Sequence, residues 1–188
     1  MLFRSRVLAR EAQVNLAAIN YHFGSKEALL EKVIERRLRP LNHLRMERLK
    51  AVRETAVREG RRPKAKDALR AFIEPAFAFN ESLSGNRSFL ALAGRAFSEP
   101  DGTVRIIFTR QIESRFSLLF NIMKEALPDL PEDVLLWRLH FTIGALDHAM
   151  RMFVNCMLVP DEIALVDDAT TMTDMLLAFV TSGMNAPL

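Results

Sequence analysis

Apolar residues recur along this chain at intervals of three and four, the spacing of amphipathic helices. Nowhere do they alternate with polar ones for long enough to propose a strand. Val7, Leu8 and Ala12 set the spacing of a first segment over Phe3–Ala12. A break at Gln13 and Val14 leads to Asn15, a good N-cap, and to a short segment Leu16–Phe23. Gly24 closes that segment, Ser25 caps the next, and Glu27 falls in a first turn that favours a carboxylate. From Lys26 onward Ala28, Leu29, Val33, Ile34 and Leu38 share a face, until Pro40, which is expected to bend or end the helix. Leu41–Glu59 is charged yet stays in helical register as far as Gly60-Arg61-Arg62-Pro63, the clearest loop of the first half.

Further helices are predicted over Lys66–Ser82, with a kink at Pro75, over Arg87–Ser98 and over Thr103–Leu127. The last carries Val104, Phe108, Ile112, Phe116, Phe120 and Met123 on one stripe. Pro128 and Pro131 bracket the following turn. Glu132–Leu158 is apolar nearly all round and is expected to be buried on several sides. His140, Gly144, Asp147, His148, Arg151 and Asn155 nevertheless gather on one stripe of it. A final helix, Asp168–Ser182, aligns Met172, Met175, Leu176, Phe179 and Val180. The expected fold is all-α, with a small head over residues 1–39 and a larger helical body over residues 40–188.

Composition narrows the class. The chain has 188 residues, of which 49% are hydrophobic and 26% charged, so it can bury a core and does not read as disordered. The single cysteine, Cys156, excludes a disulfide framework and a cysteine-based zinc cluster, and suits a reducing cytoplasm. No run approaches the ~20 apolar residues of a membrane span. The first residues, Met-Leu-Phe-Arg-Ser-Arg, lack the apolar core of a signal peptide. The net charge of +3 conceals an asymmetry. Residues 1–70 carry 18 Lys and Arg against 8 Asp and Glu, and the remaining residues carry 8 against 15. A basic head on an acidic body suits a polyanionic partner, although a solvated basic helix face would give the same count.

Leu8–Ala12 and Leu16–Phe23, joined by about three residues, have the proportions of a helix-turn-helix, whose second helix enters the DNA major groove. Leu16, Ile19 and Phe23 follow an i, i+3, i+7 spacing and are expected to face inward. Ala17 and Ala18 are small enough to let the backbone approach a groove. Asn15 and Asn20 can donate and accept at base edges, while Tyr21 and Lys26 suit phosphate oxygens. The run from Val14 to Leu30, with its small-residue helix, Tyr21-His22-Phe23 ending, Gly24-Ser25-Lys26 turn and Leu29-Leu30, closely resembles the recognition-helix signature of TetR/AcrR-type transcriptional regulators. The resemblance covers Leu8 to about Val33.

That resemblance implies a DNA-binding regulator, expected to be a ligand-responsive repressor that binds a pseudo-palindromic double-stranded operator as a homodimer. It places Tyr21, His22 and Lys26 at the DNA backbone or groove edge. It implies a body that holds an unknown small-molecule effector and dimerises through its last two long helices, here with Met150, Met172, Met175 and Phe179 at the interface. Phe72, Arg95, Phe108, Phe116, His140, Asp147 and Arg151 are the candidate pocket residues. Two positions depart from the family. Gln13 stands where the family has glycine, and only Met1–Val7 precede Leu8, so the first helix of the head is expected to be incomplete and its DNA affinity weakened.

The rival classes are a helical dimer with a non-functional head and a small helical enzyme. Four histidines, a single cysteine and no Gly-rich phosphate loop leave few catalytic constellations. Although His140 with Asp147 could orient a nucleophile, no serine or cysteine is placed to complete the set. His140 and Asp147 share a face, but no third ligand stands at a convincing spacing, so no metal or cofactor is expected.

Overall fold

The structure is a computed structural model that describes residues 15–81, 102–154, 160, 162–166 and 168–187, with the side chains of residues 16, 18–20, 80, 81, 153 and 154 excepted. Six helices occur among these residues: α1 Leu16–Phe23, α2 Lys26–Arg58, α3 Ala65–Glu81, α4 Gly102–Ala126, α5 Glu132–Val154 and α6 Ala169–Asn185. The segments Phe3–Ala12 and Arg87–Ser98 expected from the pattern lie outside the described residues, as do Arg95, Asn155 and Cys156.

The punctuation between α1 and α2 is local chemistry. Asn15 Oδ1 accepts the Ala17 N–H at 2.9 Å, which satisfies one of the orphan donors at the start of α1. Gly24, at φ 74°, takes the left-handed turn that ends α1. Ser25 returns to extended backbone, and its Oγ accepts the Ala28 N–H at 3.0 Å to start α2. Ser25→Ala is expected to lower stability by about 1 kcal/mol, read by urea denaturation, because it leaves that N–H without its cap. An unchanged midpoint would show that the cap contributes nothing.

Pro40 does not end the helix. α2 runs for 33 residues from Lys26 to Arg58 with Pro40 inside it. An interior proline costs about 3 kcal/mol, but Leu38 and Leu41 flank it in the core, and Asn42, Arg45 and Leu49 continue the buried stripe beyond it. Tertiary packing on both sides holds the helix together. Pro75 likewise sits inside α3.

The helix buried on several sides is α3, not α5. Ala68, Leu69, Ala71, Phe72, Ile73, Ala76 and Phe77 are all buried, and α3 packs against α2, α4, α5 and α6. On α5 the buried positions Leu135, Leu139, Thr142 and Leu146 form one stripe, while Trp137 and Phe141 are 62% and 67% exposed. The apolar content of α5 was legible, but among the described residues α5 is covered on one side only.

α2 and α4 run side by side in the same direction, since Asn42 meets Gln111 and, further along both, Arg53 pairs with Glu125. α5 and α6 are antiparallel. Arg138, near the start of α5, donates to the Met184 carbonyl at the end of α6 at 2.7 Å, a cation at a helix C-terminus. Arg70 of α3 bonds Asp174 of α6 at 2.6 Å, and Arg48 of α2 bonds Glu74 of α3 at 2.6 Å. No helix among the described residues is long and apolar enough to cross a membrane.

Candidate nucleic-acid interface

α1 is the second half of the expected helix-turn-helix and projects from the start of α2, the helix it packs against. Asn15, Ala17, Tyr21 and His22 are exposed, Tyr21 to 87%. The Tyr21 and His22 rings meet edge to face with centroids 5.4 Å apart, so each limits the other's rotation and together they present one polar rim. Lys26, half-buried, stands at the first position of α2. Ala18 and Asn20 lie within α1, but their side chains are outside the described residues. Phe23 departs from its expected inward orientation. It is 38% exposed, because it closes the last turn of an eight-residue helix immediately before the Gly24 turn.

This surface holds small residues, two rings with polar tips and a lysine at a capped helix start. Small residues admit close approach to a groove, and exposed hydroxyl, imidazole and ammonium groups can meet phosphate oxygens. The start of α2 faces the start of α4 across an open cleft of about 340 Å³, with Ser25, Ala28 and Glu31 on one side and Thr103, Ile106 and Arg110 on the other. The head therefore meets the body through two helices, and one of them is shared.

In the body, the candidate pocket residues fall into two groups. Phe72 and Phe108 are fully part of the core. Phe116 is half-buried, with its ring 5.4 Å from the exposed His140, whose other neighbour is Trp137 at 6.1 Å. Arg151 pairs with Asp147 at 2.9 Å within α5. Burial pushes the Asp147 carboxyl above its usual value, and Arg151 and His148 pull it back in part. Among the expected interface residues, Met175 and Phe179 are exposed, whereas Met150 and Met172 are half-buried against the core. Among the described residues, no three His, Cys, Asp or Glu side chains come together to hold a metal.

The pattern reading missed a polar cluster inside the body. Arg45 is only 5% exposed, its guanidinium carbon lies 4.1 Å from the Phe72 ring centre, and its Nε–H donates to the Phe72 carbonyl at 2.8 Å. Pro75 explains part of this. It has no N–H for the Ala71 carbonyl, and such a break loosens the neighbouring turn. Asn42, 2% exposed, donates from Nδ2 to the Gln111 carbonyl at 3.0 Å, and Arg115 donates to the same oxygen at 3.0 Å. The signal was present in the sequence. Leu38, Leu41, Asn42, Arg45 and Leu49 continue the apolar spacing, so Asn42 and Arg45 sit on a buried stripe rather than on a solvated one.

Two family descriptions match the chain. Residues 4–33 match bacterial regulatory proteins of the tetR family, and residues 70–183 match the tetracyclin repressor-like C-terminal domain. A comparison with curated proteins found no match.

Proposed function

Because the chain belongs to the TetR family and is a DNA-binding transcriptional regulator, we propose that it is a homodimeric repressor, released from its operator by a small-molecule effector. One observation supports this reading above the others. The helix that begins beside α1, α2, is the same helix whose buried stripe runs through the body from Ile34 to Ala56. Any change in how the body packs is transmitted to α1 through a continuous backbone.

Dimerisation is proposed through the uncovered side of α5 and α6. Trp137 and Phe141 lie at the start of α5, beside the end of α6 where Phe179 is exposed, so one apolar surface spans both helices. A two-fold pairing would set two copies of α1 on one side of the assembly. Each would enter the major groove of one half-site, with Asn20 reading a base, Asn15, Ala17 and Ala18 lying close to the groove, and Tyr21, His22 and Lys26 holding phosphates. The effector is placed in the body between α3, α4 and α5, near Phe72, Phe108, Phe116, His140, Asp147, Arg151 and the undescribed Arg95. It acts by binding one separation of the heads better than the other, because equal affinity for both shifts nothing.

Selection from random duplex DNA tests the reading. The expected product is a two-fold symmetric site with half-sites about one helical turn apart or a multiple of it. On that site Lys26→Ala is expected to weaken binding to all sequences alike and to reduce the salt slope by about 1, the signature of one lost phosphate contact. No enrichment of any sequence would overturn the proposal. A salt slope unchanged by Lys26→Ala would remove the lysine from the interface.

A further inference from the structure

Among the described residues, the polar cluster between α2, α3 and α4 is left with unpartnered groups. Arg45 is nine-tenths buried, and among the described residues no carboxylate pairs with it. Its neighbours are the face of Phe72, one carbonyl and a second guanidinium, that of Arg115. Burial and Arg115 together push its pKa down to about 9, so it remains charged at neutral pH. The Nε of Arg115 and the Oδ1 of Asn42 are both buried without a hydrogen-bond partner. A buried charge left unpaired, beside a donor and an acceptor left unsatisfied, is costly and rare in a folded protein.

These three groups are close neighbours. Asn42 and Arg115 share the Gln111 carbonyl, and Arg45 follows Asn42 by three residues on the same face of α2. Two guanidinium groups offer forked donors of the kind that take a carboxylate, and Asn42 Oδ1 beside them calls for a donor. The Phe72 ring, 4.1 Å from the Arg45 guanidinium carbon, supplies apolar surface beside it. We propose that Arg45, Arg115 and Asn42 form the polar end of the effector site, which takes a small organic acid carrying a hydroxyl beside its carboxylate and an apolar body behind it. This rests on the reading of the body as an effector domain, and it names the class of effector.

The geometry assigns each group a task. Arg45 and Arg115 bind the carboxylate, Asn42 accepts from the hydroxyl, and the apolar body lies against Phe72. The two arginines sit on different helices, α2 and α4. An anion between them draws together the helix that carries the head and the helix that faces it across the cleft at Thr103. An acid that fits only one spacing of α2 and α4 would bias the heads accordingly.

The test uses three probes of one size on the full chain without DNA: mandelate, phenylacetate, which lacks the hydroxyl, and 1-phenyl-1,2-ethanediol, which lacks the charge. Binding is read by calorimetry and by thermal shift at matched ionic strength. Mandelate is expected to raise the melting temperature and to bind about tenfold more tightly than phenylacetate, with the diol silent. Arg45→Met is expected to abolish mandelate binding, and Arg45→Lys, which keeps the charge without the fork, to restore part of it. Arg115→Gln, at a less buried site, supplies a folded variant should Arg45→Met fail to fold, and is expected to weaken mandelate binding.

Equal binding of mandelate and the diol, or mandelate binding that survives both arginine substitutions, would overturn the proposal. Equal binding of mandelate and phenylacetate would remove Asn42 from it. Repeating the titration with a selected operator separates the two readings. Mandelate held through Arg45 with no change in DNA affinity leaves the acid site and removes its regulatory role. An intact operator complex in a protein that binds no mandelate leaves the regulator and removes the acid site.

Discussion

Replacing Phe141 and Phe179 together with aspartate is expected to turn the protein into a monomer. Both rings are largely exposed, Phe179 to 71%, and they sit with Trp137 where Arg138 ties the start of α5 to the end of α6. Trp137 and Phe141 lie with ring centres 6.1 Å apart, so they form one aromatic surface rather than scattered residues. Monomeric proteins rarely leave such a patch in water. In an isologous interface each substitution occurs twice, and a buried aromatic anchor contributes about 2 kcal/mol or more. Four lost anchors therefore amount to about 8 kcal/mol, or five to six orders of magnitude in the dissociation constant. Analytical ultracentrifugation at micromolar concentration reads this directly. A wild-type monomer, or a doubly substituted dimer, would remove the proposed interface. Neither ring belongs to the core, so the melting curve of the variant reports whether the fold survives.

Phe77→Ala is expected to cost about 3–5 kcal/mol of unfolding free energy. Phe77 is fully buried on α3, the helix that touches α2, α4, α5 and α6, so the void would be lined from several directions and could not collapse towards one neighbour. The whole stability of a domain this size is about 5–15 kcal/mol. The variant should therefore be partly unfolded or lose most of its urea midpoint, when compared with wild type at the same protein concentration. A loss below about 1 kcal/mol would mean that α3 is not the centre of the bundle.

What the sequence made legible was whatever depends on neighbours within a few residues. Asn15, Gly24 and Ser25 punctuate α1 and α2 as their side-chain chemistry predicts, because a cap or a positive φ needs no distant partner. Tyr21 and His22, at the end of the short helix α1, emerge exposed. Burial was harder. The apolar pattern of Glu132–Leu158 did not show that one side of α5 would be left uncovered among the described residues. α3, with a pattern no more apolar, is enclosed because four other helices happen to pack on it. Pro40 does not end α2, and Leu41–Glu59 continues the helix as its register predicted. The cost of the proline is local, while the anchoring of Leu38, Leu41 and Leu49 is not. Arg45 went unseen among the charges of Leu41–Glu59, since nothing in its identity says that its turn of helix points inward.

The length of α2 has a geometric corollary. Thirty-three residues of α-helix span about 50 Å, and a stiff rod of that length converts a small angle into a large translation. A tilt of about 5° about its midpoint moves the end carrying Ser25 by about 2 Å, and a two-fold partner tilting in the opposite sense doubles the change in spacing. A hydrogen bond to a base edge tolerates only a few tenths of an ångström before it weakens. In the proposed dimer, a tilt of that size is thus sufficient to put the two copies of α1 out of step with the groove.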